Sequence, residues 1–134
     1  MTATEFWRAI LAALLVFITF QTLTPQVDTN DSGFMIARII SEWVFGSEMM
    51  SDKVLHFGAY GILGAVAAWA KISRYGAAWT APIGLSAYGG VLEVMQALGG
   101  VRTGDWIDAS ANMAGAFAGF AVGVFILSAA RARA

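Results

Sequence analysis

The chain has no cysteine, one histidine, two prolines and little charge. Without cysteine there is no disulfide, no thiolate nucleophile and no thiolate-held zinc. One histidine excludes sites built from several imidazoles. Charged residues make up 13% of the 134 positions, about half the share usual in soluble domains. No basic run is present and the net charge is −1, so nucleic acid is not an expected partner. Apolar residues reach 58% and the mean hydropathy is +0.67. So little polar material cannot cover a soluble enzyme of this length, and so much apolar material excludes disorder. The length holds one domain, residues 1–134.

Four apolar segments are each about long enough to cross a hydrocarbon core of roughly 30 Å. They run from Phe6 to Leu23, Val54 to Ala70, Ala77 to Leu98 and Trp106 to Ala130. The first stops before Thr24-Pro25, a helix-ending pair. Pro82 stands early in the third, where a helix tolerates proline. Arg8 before an apolar run also suits a signal peptide, but a small-residue cleavage pattern is missing, so a retained helix is expected. The sequence thus predicts an all-α integral membrane protein, a bundle of four transmembrane helices. In that arrangement Arg8, Lys71, Arg74, Arg131 and Arg133 share one side, and Arg38, Lys53 and Arg102 the other. The richer side is expected to be cytoplasmic, placing both termini inside the cell.

The long connection between the first two segments is not uniformly polar. Phe34, Ile36, Ile39, Ile40, Trp43 and Val44 recur at helical spacing, with Arg38, Ser41 and Glu42 between them. This predicts a short amphipathic helix in the outer interface, either a lid packed over the bundle or a gate for a lipid-soluble substrate, the lid being preferred. Glycine is the other organising signal. Gly115, Gly119 and Gly123 form a small-xxx-small ladder, and Gly58, Gly61 and Gly64 put small residues on the second segment. Such ladders let helix backbones approach closely. Packing within the chain is the expected use, with a homodimer face through Gly115, Gly119 and Gly123 as the alternative.

Polar residues inside these segments are sorted to one end. Asp52, Lys53 and His56 open the second segment, Glu93 and Gln96 lie near the outer end of the third, and Arg102, Asp105, Asp108 and Asn112 surround the start of the fourth. Asp52 and His56 are four apart, Glu93 and Gln96 three apart, and Asp105, Asp108 and Asn112 follow i, i+3, i+7, so each set occupies one helical face. Polar faces turned to lipid are penalised, so the three stripes are expected to meet. An ionised carboxylate at the middle of a spanning helix costs about 2.5–3.5 kcal/mol, so Glu93 is expected to be neutral, paired or in a wet cavity, with Arg102 and His56 as partners. His56 suits either proton transfer or a hydrogen bond within the bundle. Lys53 and Arg102 suit either a grip on an anionic head group or anchoring at the interface. Asp105 fits a helix N-cap before Trp106. His56, Glu93 and Asp108 offer ligands for one divalent ion, but their spacing is no known metal signature, so neither metal nor cofactor is expected.

Asp-Lys-Val-Leu-His-Phe at 52–57, followed by Tyr60 and Leu63, resembles the first signature of the VanZ-like membrane protein family. Glu93-Val-Met-Gln96, then Arg102, Asp105-Trp-Ile-Asp108, Asn112 and Gly115, resembles the second. The resemblance covers residues 50–124, with one departure at 97–101, which lacks the proline associated with the family there. It implies a small multi-helix protein of the bacterial cytoplasmic membrane, whose name-giving relative is associated with low-level teicoplanin resistance. The resulting expectation is an outward-facing polar pocket that acts on or binds a lipid-linked envelope component or a lipid-tailed glycopeptide. His56 and Glu93 are the candidate catalytic residues. Asp52, Lys53, Gln96, Arg102, Asp105, Asp108 and Asn112 are the candidate substrate-binding residues. The alternative is a non-catalytic lipid-binding or structural protein of the envelope.

Overall fold

The computed structural model describes residues 1–24, 32–72, 77–100 and 105–133, with the side chains of 32–34 left aside. Arg74 and Arg102, used above for orientation and for the site, lie outside these residues. The described chain is helical and holds no strand: α1 (Ala3–Leu23), α2 (Ser32–Phe45), a single 3-10 turn (Glu48–Met50), α3 (Ser51–Trp69), α4 (Thr80–Leu98) and α5 (Trp106–Arg131). The local signals explain the ends. Thr2 and Glu5 form a capping box at the start of α1, and Pro82 falls in the first turn of α4. Helix α3 starts three residues before the expected Val54. Asp52 and Lys53 therefore belong to its first turn and share a face with His56.

Side-chain bonds fix the relative directions. Arg8 near the start of α1 donates to the Ala70 carbonyl just past α3 (3.2 Å), so α1 and α3 are antiparallel. Tyr88 of α4 reaches the Leu15 carbonyl (2.8 Å), and Gln96 reaches that of Thr22 (2.7 Å), so α1 and α4 run together. Lys53 at the start of α3 meets Asp105 at the start of α5, and Trp69 at the end of α3 donates to the Gly123 carbonyl (3.2 Å). The four long helices thus divide into two parallel pairs, and one end of the bundle collects the start of α3, the start of α5 and the last turns of α1 and α4. This is the polar end.

The core is built from small residues and a few large ones: Tyr60, Leu63 and Ala67 of α3 cluster with Ala116 and Phe120 of α5, and Leu85 of α4 and Leu11 of α1 join them. The glycines permit this. A Cβ at Gly64 would overlap the Ala116 carbonyl, one at Gly115 that of Phe57, and one at Gly119 that of Gly61. A Cβ at Gly123 would press on Ala65 and Ala68. The face that Gly115, Gly119 and Gly123 present, considered above as a homodimer surface, is covered by α3 of the same chain.

Two of the helices, α1 and α5, are long and apolar enough to cross a membrane. Only 6% of the apolar window of α1 is buried, unlike the core helix of a soluble protein. Helix α2 packs against α3, but not through its apolar stripe. Its buried positions are Ala37 (2% exposed) and Ser41 (0%), while Ile36, Ile39, Ile40, Trp43 and Val44 are exposed. The short side chains let α2 approach the bundle, and the bulky apolar stripe faces away from it. Ser41 holds the following turn by donating to the Ser47 carbonyl (2.6 Å), and Arg38 pairs with Glu48 (2.7 Å).

Candidate functional site

Asp105 is the N-cap of α5, one carboxylate oxygen accepting from the Ile107 amide at 2.9 Å. Its other oxygen takes the Lys53 ammonium at 2.7 Å. The same ammonium lies 2.7 Å from Asp108 Oδ1 and 3.6 Å from Asp52 Oδ2. Lys53 therefore clamps the first turn of α3 to that of α5 and is neutralised three times over. An anionic head group would have to compete with carboxylates already in place, so the expected grip on such a group does not fall to Lys53 by itself. Asp108 Oδ1 is buried against this ammonium, which is its charged partner.

One turn further along α3, His56 Nδ1 lies 2.9 Å from Asn112 Oδ1 of α5. Asn112 is fully enclosed, at 2% exposure. On the other side of the ring, Nε2 is 3.8 Å from Asp52 Oδ1. Glu93 of α4, buried in the same cluster, brings Oε1 to 3.9 Å from Nδ1. The imidazole is thus flanked by carboxylates on both nitrogens and steadied by one amide. This is an arrangement in which a proton can be held at Nδ1 and taken up or released at Nε2.

Seven of the nine sequence-predicted residues meet here: Asp52, Lys53, His56, Glu93, Asp105, Asp108 and Asn112. Gln96 shares the face of Glu93, but its amide is spent on the Thr22 carbonyl at the end of α1. That bond satisfies one of the last-turn carbonyls which a helix leaves open. The ninth, Arg102, lies outside the described residues.

No family model, no curated protein and no solved structure matches this chain.

Sequence reasoning passed over one polar feature beneath the cluster. Tyr88, in the apolar middle of α4, bonds the Leu15 carbonyl and the Thr19 hydroxyl of α1. Its ring sits 6.4 Å from that of the buried Tyr60. A tyrosine and a threonine inside otherwise apolar segments were the available signal, but neither spacing nor charge links residues on separate helices.

Proposed function

We propose that the chain is a VanZ-like integral membrane protein in which α1, α3, α4 and α5 all cross the bacterial cytoplasmic membrane, with both termini cytoplasmic and the polar end outward. What supports this is the distribution of exposed apolar bulk. Val16, Phe17 and Phe20 on α1, Ile62 on α3, Ile83, Val91 and Val94 on α4, and Val122 and Phe125 on α5 are all more than half exposed. An apolar surface on every long helix of a small bundle has lipid as its natural solvent. Helix α2 lies in the outer interface with Trp43 and its isoleucines toward the acyl chains.

In this reading the polar end takes the head group of an amphiphile at the outer leaflet, a lipid-linked envelope component or a lipid-tailed glycopeptide. A mostly apolar stripe along the last turns of α1, with Val16 and Phe20 exposed, suits an acyl chain beside it. The observation that carries the proposal is His56, fixed by Asn112 and flanked by Asp52 and Glu93 at the mouth of an apolar bundle. His56 and Glu93 move protons in hydrolysis or group transfer at the head group. The test is susceptibility to teicoplanin and vancomycin in a Gram-positive host expressing wild type or Glu93→Gln at matched membrane abundance. Teicoplanin protection that disappears in the variant is expected. Equal protection by both forms would remove Glu93 from the mechanism, and no protection by wild type would remove the glycopeptide as ligand.

The triple neutralisation of Lys53 favours a second reading, in which the cluster only locks the helices. In that case Glu93→Gln and His56→Ala lower thermal stability in detergent, while activity per folded molecule stays at the wild-type level.

A further inference from the structure

Two cations come together at the end of the bundle opposite His56. Arg8, in the second turn of α1, donates its Nε to the Ala70 carbonyl at 3.2 Å. Lys71 is the next residue of the chain. Both therefore stand where α3 ends and α1 begins, and both are exposed. Glu5, one turn before Arg8, has its carboxylate on the Thr2 amide at 2.7 Å. Among the described residues neither Arg8 nor Lys71 forms an ion pair.

The backbone at Lys71 is strained. Its φ is +51°, in the left-handed region where glycine is the ordinary occupant of a helix end. The turn itself is a regular closure of α3: the Lys71 amide donates to the Ala68 carbonyl and the Ile72 amide to that of Ala67, both at 3.2 Å. Neither bond uses the lysine side chain. Glycine would make the same turn without strain, so capping the helix does not account for the ammonium. Backbone strain of this kind clusters where the strained residue has a task.

Beside the two cations stands a row of rings. Trp69 lies 4.6 Å from Trp7, and Trp7 lies 5.3 Å from Phe6. The Trp69 indole is fixed further by its Nε1 bond to the Gly123 carbonyl at 3.2 Å. Indole rings settle at the level where lipid head groups give way to acyl chains. A guanidinium and an ammonium beside them stand at the height of the phosphates.

We infer that Arg8 and Lys71 hold the phosphate of an anionic phospholipid of the cytoplasmic leaflet, with Trp7 and Trp69 against its glycerol region. The Nε of Arg8 is spent on Ala70, which leaves the two terminal nitrogens of the guanidinium for phosphate oxygens. Lys71 adds a compact charge. This site differs from the polar end, where Lys53 is already taken by carboxylates. It rests on the proposal that the long helices cross the membrane with this end inside.

The test uses the full chain in detergent, given equal amounts of phosphatidylglycerol and phosphatidylcholine with the same acyl chains. Native mass spectrometry counts the lipids retained. One phosphatidylglycerol per chain is expected, in preference to phosphatidylcholine. Lys71→Gly is expected to lose about fivefold in that retention, while its thermal midpoint stays at or above that of wild type, because the strain goes with the side chain. Lys71→Arg keeps the charge and is expected to keep the lipid. Equal retention of the two lipids, wild-type retention by Lys71→Gly, or displacement of phosphatidylglycerol by millimolar inorganic phosphate would overturn the inference. A chain soluble without detergent would overturn the membrane reading and this site with it; the other results bear on the site alone.

Discussion

Lys53 is the residue on which the polar end turns. Its side chain is 17% exposed and that of Asp108 only 6%, so each depends on the other for neutralisation away from water. Removing one partner of a buried pair leaves an uncompensated charge and typically costs about 3–5 kcal/mol, more than the pair itself contributes. Lys53→Met is therefore expected to destabilise the purified protein by about that amount, seen as a lowered thermal midpoint in detergent. Adding Asp108→Asn to Lys53→Met is expected to recover much of the loss, because the stranded charge goes with it. Asn112 shows the neutral counterpart. Asn112→Leu keeps the volume but leaves the His56 Nδ1–H without its acceptor, and an unsatisfied buried donor costs about 1–3 kcal/mol. Thermal unfolding of the variant checks this.

At the scale of elements, the α3–α5 contact depends on missing side chains. The helices approach so closely that Gly119 lies against the Gly61 carbonyl and Gly115 against that of Phe57. Gly61 itself is different: a Cβ there would meet only the Gly115 carbonyl oxygen at 3.8 Å, an ordinary contact. Gly61→Ala is accordingly expected to be tolerated. Gly119→Ala forces backbone apart and costs at least the 1–3 kcal/mol typical of an overpacked core, on the order of several kcal/mol where the neighbour is main chain. Comparing the detergent melting curves of the two variants tests the claim, since equal midpoints would mean that the close approach is not needed. Helix α2 follows the same rule of small residues inward, with Ala37 and Ser41 against the bundle.

For the whole molecule, the consequence is a direction across the membrane. In the proposed topology Met49, in the turn after α2, and Arg133, past α5, sit on opposite sides. Both are exposed, and the absence of native cysteine makes single-cysteine labelling unambiguous. Met49→Cys is expected to react with an impermeant maleimide in intact cells, and Arg133→Cys only after permeabilisation. The reverse pattern would invert the protein and place the polar end in the cytoplasm.

The sequence by itself determined the helices, because apolar runs bounded by capping residues, proline and glycine set them locally. It also determined that Asp52 and His56, and Asp105, Asp108 and Asn112, share helical faces, since residue spacing along a helix is fixed by its geometry. What those faces meet was a tertiary decision. The amphipathic stripe of α2 was legible, but not that it points away from the bundle, because periodicity gives a face and no direction. Gly115, Gly119 and Gly123 were legible as a contact surface, but only the fold set α3 against them. Gln96 had the same spacing credentials as Glu93, yet the parallel run of α1 and α4 put the Thr22 carbonyl within its reach. Charge pattern alone left Lys53 open to an outside anion, whereas the packing of α3 on α5 gave it Asp105 and Asp108. Each of these outcomes depends on contacts between residues far apart in the chain, which no local spacing encodes.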